Sequence, residues 1–168
     1  MPKPKRSTAL VVVDMQPGFH ESCREPNISG RGDVLHATKI LVRSAVRDGL
    51  PIIFLEYRGS GQTYRALKKL CEGYNRAITL QKDDNDGSHE VLRACKHLRI
   101  RPSHFVVCGV NYTACVFDTI HGLRRLRNRS KITLVKEATN FYESRYFTKM
   151  YEEDYGANLV NIFAQQES

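Results

Sequence analysis

The sequence predicts a single α/β domain built on a doubly wound, mainly parallel sheet of six strands with helices on both faces. Short apolar runs alternate with segments of helical periodicity along the 168 residues. The runs are continuously apolar, which is typical of strands that helices cover on both faces. No internal repeat or long linker interrupts the pattern. We therefore assign residues 8–168 to one domain that follows a flexible basic tail of residues 1–7.

Strands are predicted where apolar residues run together between turn-forming residues. The third run, AITLQ, is the weakest, and the sixth is NLVNIF near the end of the chain. The predicted strands are Ala9–Val13, Pro51–Tyr57, Ala77–Gln81, His104–Val110, Ile132–Val135 and Asn158–Phe163.

Helices are predicted where apolar residues recur at helical spacing. Ala37, Ile40 and Leu41 have this spacing in the first long helix, and the Asp-Gly pair at residues 48–49 ends it. Ser88 is a capping residue for a later helix, in which Cys95 lies on the apolar side. The predicted helices are Val34–Arg47, Tyr64–Leu70, Ser88–Leu98 and Thr113–Arg127.

The net charge of +8 is concentrated in two places. The tail carries Lys3, Lys5 and Arg6, and the run HGLRRLRNRSK carries five basic residues without an acid, so the rest of the chain is neutral. A polyanion would therefore have to bind one helix end and a tail. Charge clusters alone do not recognise individual bases. We therefore interpret the run as a solvated helix face and expect no nucleic-acid partner.

The cysteines and apolar runs predict a cytoplasmic protein. The five cysteines form no C-x-x-C pair, so neither a disulfide framework nor a zinc site is indicated. No apolar run approaches the ~20 residues of a membrane span, so no membrane partner is expected. The basic N-terminus is followed by TALVVV and then Asp14, which is too short for the apolar region of a secretory signal.

Three chemically active residues follow predicted strands at one edge of the sheet. Asp14 follows the first strand, Lys82 the third, and Cys115 comes shortly after the fourth. Ligands of doubly wound sheets bind at this carboxyl edge, and together the three supply a base, a cation and a thiol. Individually they have ordinary alternatives: Asp14 could cap a loop or serve a metal or phosphate site, and Lys82 could be a surface lysine.

The two cysteines of VVCGVNYTACV have different predicted roles. Cys108 lies inside the strand run, where a free cysteine behaves as a small hydrophobic residue, and the same holds for Cys95 on its helix. Cys115 falls in the first turn of the next helix, where backbone N–H groups and the helix dipole stabilise a thiolate or an oxyanion. Cys115 is a candidate nucleophile, with a buried core residue as the alternative.

Through these residues the chain resembles the isochorismatase-like cysteine hydrolases, which include nicotinamidases, carbamoylsarcosine amidases and isochorismatases. The resemblance runs from TALVVVDMQPGF to CGVNYTACVFDT and KITLVKEAT. Its specific pieces are D-x-Q after one strand, G-V-x-x-x-x-C-V after another, and a lysine between them. Matched by position, Asp14 is the family's acid, Lys82 its lysine and Cys115 its nucleophile.

The resemblance implies hydrolysis of a small-molecule amide or related C–N bond through a thioester, without a cofactor. Asp14 would take the proton of Cys115, whose sulfur would attack the carbonyl carbon. The family also has a cis peptide bond, here Val110–Asn111, that would turn the Asn111 N–H toward an oxyanion hole shared with the Cys115 N–H. Members often form oligomers, so a homo-oligomer is expected.

Two departures from the family pattern affect the metal and the pocket. Metal-dependent nicotinamidases carry D-x-H where this chain reads EYRGSGQT, so no metal site is expected. The lysine is followed by DDNDGS in place of Ser-Ala-Phe; these acids could alter the environment of Lys82, but we favour a solvated turn. Candidate pocket residues, with one arginine as a possible anchor for a substrate anion, are Phe19, Glu56, Tyr57, Arg58 and Tyr112.

Two alternatives remain beside the amidase hypothesis. An isochorismatase-type ether hydrolase is disfavoured because Cys115 is present, whereas some such members lack the cysteine. A non-catalytic protein could use the fold for binding, with the arginine cluster contacting RNA. The two enzymatic hypotheses share a small-molecule substrate.

Overall fold

A computed structural model describes residues 8–26 and 32–140, and the backbone of residues 157–160. These residues form a six-stranded sheet in the order β3-β2-β1-β4-β5-β6, and every pairing is parallel. The predicted tail and residues 161–163 of the predicted sixth strand lie outside the described ranges. The strands are β1 (Thr8–Val13), β2 (Ile52–Tyr57), β3 (Ala77–Lys82), β4 (His104–Gly109), β5 (Lys131–Thr139) and β6 (Ala157–Val160).

The sheet is buried between two apolar layers, which confirms the predicted doubly wound α/β fold. In β1, Val11 and Val13 belong to one core cluster, whereas Leu10 and Val12 belong to the other. This alternation follows from the opposite directions of successive side chains in a strand. Cys108 is fully buried in the second cluster, which confirms its packing role.

Helices cover both faces of the sheet. The second helix begins at the predicted Asp33–Val34 boundary because the Asp33 carboxylate accepts a hydrogen bond from the His36 N–H at 2.8 Å. The predicted cap of the fourth helix is wrong, since Ser88 is its first helical residue and its N–H donates to Asp86. The helices are α1 (His20–Cys23), α2 (Val34–Arg47), α3 (Arg65–Lys68), α4 (Ser88–His97) and α5 (Phe117–Leu126).

The segment between β4 and α5 departs from the predicted regular helix. Tyr112–Val116 form a π-type turn, in which the Asn111 carbonyl accepts hydrogen bonds from the N–H groups of Ala114 and Val116. Regular α-helix begins only at Phe117. Cys115 is therefore held in a widened turn before the helix.

The strand order creates a switch point between β1 and β4. The chain moves outward from β1 through β2 to β3, and then starts again on the other side of β1 with β4, β5 and β6. In open parallel sheets, ligands bind at the carboxyl ends of the two strands that flank such a point. Within the described ranges, no helix is long and apolar enough to cross a membrane.

Candidate active site

Strained backbone marks the carboxyl ends of both strands at the switch point. Asp14 directly follows β1 with φ 54°, and Asn111 comes two residues after β4 with φ 66°. Between them, Gly109 has φ 122°, and a Cβ there would lie 2.1 Å from the Val13 carbonyl oxygen. Non-glycine residues at positive φ cost about 1–3 kcal/mol and cluster at functional sites. The strain therefore identifies this edge as the candidate site.

Asp14 and Lys82 form a buried ion pair at this edge. The Lys82 Nζ lies 3.3 Å from Asp14 Oδ1 and 3.4 Å from Oδ2, and the side chains are 1% and 0% exposed. Asp14 Oδ1 accepts no hydrogen bond within the described ranges, whereas Oδ2 also accepts one from Asn111 Nδ2 at 3.2 Å. One carboxylate oxygen thus keeps its acceptor capacity for a further proton.

Lys82 is held by groups on three sides. Its Nζ donates to the Asp84 carbonyl at 3.0 Å and lies 4.5 Å from the centre of the Tyr57 ring. Register pairing places Tyr57 opposite Lys82 at the ends of β2 and β3. A buried ammonium needs such partners, because its desolvation is otherwise costly.

Cys115 joins this pair through Asn111. The Asn111 Nδ2 that donates to Asp14 also lies 3.9 Å from the Cys115 sulfur, and the thiol donates to Asn85 Oδ1 at 3.5 Å. Cys115 is only 3% exposed. The structure thus brings Asp14, Lys82 and Cys115 together, and adds two asparagine side chains that the sequence interpretation did not assign to the site.

The thiol of Cys115 is neutral at rest. Burial, followed by the neighbouring Asp14 carboxylate, raises its pKa from 9.0 to about 12, and Lys82 only partly opposes this. The expected stabilisation of a thiolate by the helix start is thus opposed by burial and by the nearby Asp14 carboxylate, and regular helix begins only after Cys115, at Phe117.

The loop DDNDG after Lys82 combines an exposed surface with contacts to the site: Asp83 and Asp84 are exposed, as a solvated turn predicts, but the loop also touches Lys82 and Cys115. Asp84 contacts Lys82 and Asn85 contacts Cys115, while the Gly87 N–H donates to Thr119 Oγ at 3.0 Å. A Cβ at Gly87 would lie 2.5 Å from Leu55 Cδ1. The position of DDNDG directly after a strand was the signal that could have revealed this role.

Gln16, the last residue of the D-x-Q motif, connects two segments next to the site through its side chain. Its Oε1 accepts from the Tyr57 N–H at 2.7 Å, and its Nε2 donates to the carbonyls of Tyr57 at 3.0 Å and Gly61 at 2.5 Å. Because Gln16 is fully buried, these bonds tie the loop after β1 to the end of β2. The motif thus supplies Asp14 to the site and a structural link two residues later.

Two of the predicted pocket residues lie beside the site. Phe19 and Tyr57 pack edge to face, with ring centroids 6.3 Å apart, and both are partly exposed. Since Tyr57 also contacts Lys82, the two rings form an aromatic wall next to the ion pair.

Three other predicted pocket residues have different surroundings. Glu56 is buried and accepts from the Thr63 N–H at 2.7 Å, so its carboxylate holds a loop. Arg58 is 65% exposed and pairs with Asp83 at 2.5 Å on the surface rather than offering an anchor in the site. Tyr112 is 1% exposed and packs in a core cluster, because the π-type turn directs it inward.

The predicted cis bond at Val110–Asn111 is wrong. No peptide bond within the described ranges is cis. The chain changes direction here through the positive φ angles of Gly109 and Asn111, which asparagine and glycine tolerate best. The same ranges hold no group of three or more His, Cys, Asp or Glu side chains placed to bind a metal ion.

Comparisons with known proteins identify the family and the fold. The family model described as Isochorismatase domain matches residues 8–146. No curated protein sequence matches the chain significantly.

Several solved structures share the fold at low sequence identity. The N-carbamoylsarcosine amidase of Thermoplasma acidophilum is 18% identical, with a TM-score of 0.68 over 92% of this chain and 96% of that one. The pyrazinamidase/nicotinamidase of Streptococcus mutans UA159 is 18% identical, with a TM-score of 0.72 over 92% and 100%. The MAR1 ribonuclease of Caenorhabditis elegans is 20% identical, with a TM-score of 0.72 over 95% and 79%.

Proposed function

Because the chain belongs to the isochorismatase domain family of hydrolases, we propose that it hydrolyses a small-molecule amide or related C–N bond with Cys115 as nucleophile. The observation that carries the proposal is the buried Asp14–Lys82 pair beside the Cys115 thiol at the switch point of the sheet. A base, a cation and a nucleophile in contact are the parts that covalent hydrolysis requires.

Asp14 acts as the proton carrier of the reaction. Since burial raises the pKa of Cys115 to about 12, the thiol stays protonated until substrate arrives, and Asp14 removes its proton as the sulfur attacks the carbonyl carbon. The S–C bond forms, the C–N bond breaks, and the proton passes to the leaving amine. Water, deprotonated by Asp14, then cleaves the thioester and restores the thiol.

Lys82 lowers the energetic cost of this proton transfer. Its ammonium lies 3.3 Å from the Asp14 carboxylate and stabilises negative charge whether that charge is on the carboxylate or on the sulfur. Lys82 is itself fixed by the Asp84 carbonyl and the Tyr57 ring, so it need not reorganise during the reaction.

The two asparagine side chains position the thiol and the carboxylate. Asn111 Nδ2 lies between Asp14 Oδ2 and the Cys115 sulfur, while Asn85 Oδ1 accepts the thiol hydrogen in the resting state. The thiol hydrogen must turn from Asn85 to Asp14 for the attack. For the oxyanion we propose the backbone N–H groups of Asn111 and Cys115, as the resemblance implies.

The surroundings of the site favour a small, planar substrate. The aromatic wall of Phe19 and Tyr57 offers a flat apolar surface next to Lys82. Two similar folds are named as amidases, which supports C–N chemistry over ether hydrolysis. We also propose that the protein is cytoplasmic, because all five cysteines are free. We propose a homo-oligomer as well, as the family resemblance implies.

The test is turnover of a panel of small aromatic and aliphatic primary amides, followed by ammonia release, with an isochorismate-type vinyl ether as comparison. Cys115→Ala should lower kcat by about 10³-fold or more, because the covalent route is lost. Cys108→Ala is the matched control, since it removes a buried thiol away from the site and should keep kcat.

Full amide turnover by Cys115→Ala would overturn the proposal. Ether cleavage without amide cleavage would instead favour the isochorismatase-type alternative. Folding of each variant is checked by its thermal midpoint, so that loss of activity is not confused with loss of structure.

A further inference from the structure

We propose that the opposite, amino-terminal edge of the sheet binds single-stranded nucleic acid through a basic surface. The surface comprises five side chains from two distant segments, which all line one or both of two adjoining cavities: Lys96, Arg99, Arg101, Arg127 and Arg129. Among the residues that the structure describes, none that lines either cavity is acidic.

The fold assembles this surface from charges that are separate in the sequence. Lys96, Arg99 and Arg101 come from the end of α4 and the loop before β4, whereas Arg127 and Arg129 follow α5. From residue 96 to residue 131 the chain has eight lysines and arginines and one acid, Asp118. In the sequence these two groups are separated by more than 20 residues, and only the α5 group is a continuous basic run. The fold brings them together, so an anion would meet both at once.

The shape and composition of the basic surface fit a phosphodiester chain. The cavities measure about 400 and 370 Å³ and share Arg101 and Arg127, so they form a continuous depression. Leu126, the exposed large hydrophobic residue of the described ranges, lies in one of them. Arginine binds phosphate through two parallel N–H groups and stacks on bases, while a concave surface disfavours a flat membrane.

The walls of the depression are rigid. Ser130 Oγ donates to the Pro102 carbonyl at 3.1 Å, and the Lys131 N–H donates to the Ser103 carbonyl at 2.8 Å. These bonds join the segment before β4 to the segment before β5. The guanidinium groups therefore project from a fixed base, which lowers the entropy lost on binding.

Arg99 provides a second, independent observation. It has φ 54° at the end of α4, where Ile100 N–H donates to the Cys95 carbonyl and Arg99 N–H to the Lys96 carbonyl. This hydrogen-bond pattern normally places glycine at the left-handed position. The chain instead keeps a charged side chain there, at a cost to stability, on the rim of the depression.

Helix stabilisation is the competing explanation, because cations near helix C-termini interact favourably with the helix dipole. It predicts that removing these charges lowers thermal stability and changes nothing else. It does not explain the strained Arg99, which stabilises its helix less than glycine would.

The basic surface lies away from the proposed active site. β4 starts next to the depression and ends near Asn111, and its six residues span about 20 Å. The Cys115→Ala variant should therefore bind nucleic acid as the wild type does. Failure of the hydrolase proposal and failure of this one are thus distinguishable.

The test is fluorescence anisotropy of the full chain with a labelled oligouridylate of ~16 nucleotides, a length within the site sizes of single-strand binders. With four phosphate contacts, log Kobs should fall with log salt at a slope of about −3 between about 50 and 200 mM. Arg127→Ala with Arg129→Ala should weaken binding about tenfold and reduce the slope by about 1.4. Arg99→Gly should weaken binding while raising Tm by about 2 °C.

The matched control removes two exposed charges elsewhere, Arg43 on α2 and Arg65 on α3, and should leave binding unchanged. Equal binding by the Arg127/Arg129 variant, or salt-insensitive binding, would overturn the proposal. If tripolyphosphate or ATP displaced the labelled oligonucleotide as effectively as unlabelled oligonucleotide does, the surface would be assigned to small phosphorylated ligands instead. Binding confined to anionic vesicles of phosphatidylserine would assign it to a membrane, and also contradict the proposal.

Discussion

At the carboxyl edge of the sheet, Asp14 and Lys82 are buried, paired and held at fixed distances, whereas at the amino edge five basic side chains line an open depression. One edge uses a single charge pair in a dry environment, where each contact is strong and each loss is costly. The other uses many charges of one sign near solvent, where no single contact dominates. The same sheet thus presents two charge arrangements that serve different chemistry.

Buried and exposed charges carry different information in this fold. Buried charges are informative singly, since each requires partners that can be identified: Lys82 has the Asp14 carboxylate, the Asp84 carbonyl and the Tyr57 ring. Exposed charges are informative only as a group, through their number, their sign and the shape of the surface beneath them.

The largest expected difference between the edges is in stability. Lys82→Met should lower the free energy of unfolding by about 3–5 kcal/mol, because it leaves the fully buried Asp14 carboxylate without its counter-charge. Arg129→Met at the exposed edge should change it by less than about 0.5 kcal/mol. Urea unfolding at constant ionic strength measures both.

The double variant Asp14→Asn with Lys82→Met sharpens this test. It should recover most of the lost stability, since no buried charge remains unpaired, while staying inactive. A Lys82→Met protein as stable as the wild type would show that the pair is not buried in solution, and the contrast between the edges would fail.

The asparagine side chains should have a smaller, kinetic effect. Asn111→Gly preserves the positive φ while removing the amide between Asp14 and Cys115, and should lower kcat by about 10- to 100-fold with little change in KM. Asn85→Ala should lower kcat by about tenfold and shift the pH profile of kcat, because the thiol loses its resting acceptor. Steady-state kinetics across pH separates these effects from a structural defect, and unchanged profiles in both variants would contradict the positioning role.

The smallest effect concerns the order of thiol alkylation. Iodoacetamide in mildly alkaline buffer should label the partly exposed Cys71 first, and Cys115 about tenfold more slowly, because burial raises the pKa of Cys115 to about 12. Peptide mapping over time gives the order. Labelling of Cys115 ahead of Cys71 would indicate a resting thiolate and contradict the neutral thiol.

The same raised pKa has a consequence for stability at high pH. Because the folded pKa of Cys115 lies above its unfolded value of 9.0, the folded state binds the proton more tightly. The contribution is complete below pH 9.0 and is lost as pH rises toward about 12. Cys115→Ala should therefore lose less stability than the wild type over that range.

Much of the fold and the core of the candidate site could be predicted from the sequence. Continuous apolar runs identified five strands within a few residues, and the parallel order then placed Asp14, Lys82 and the Cys115 segment at one edge, as the structure shows. Local patterns suffice here because strand ends and helix boundaries are encoded by nearby residues.

The features that could not be predicted from the sequence depend on contacts between residues that are distant in the chain. The sequence did not reveal that Asn85 would meet Cys115, that Glu56 would hold Thr63, or that Tyr112 would turn into the core. The raised pKa of Cys115 also depends on packing, since burial is its largest cause. No local pattern encodes the depth at which a side chain is finally buried.

Covalent catalysis by Cys115 is tested by intact mass spectrometry of the protein quenched during turnover of a hydrolysed amide. We expect a transient species that is heavier by the acyl group of the substrate. It should map to Cys115, be sensitive to hydroxylamine and be absent from Cys115→Ala. Acylation of another residue, or full turnover with Cys115 never acylated, would contradict it.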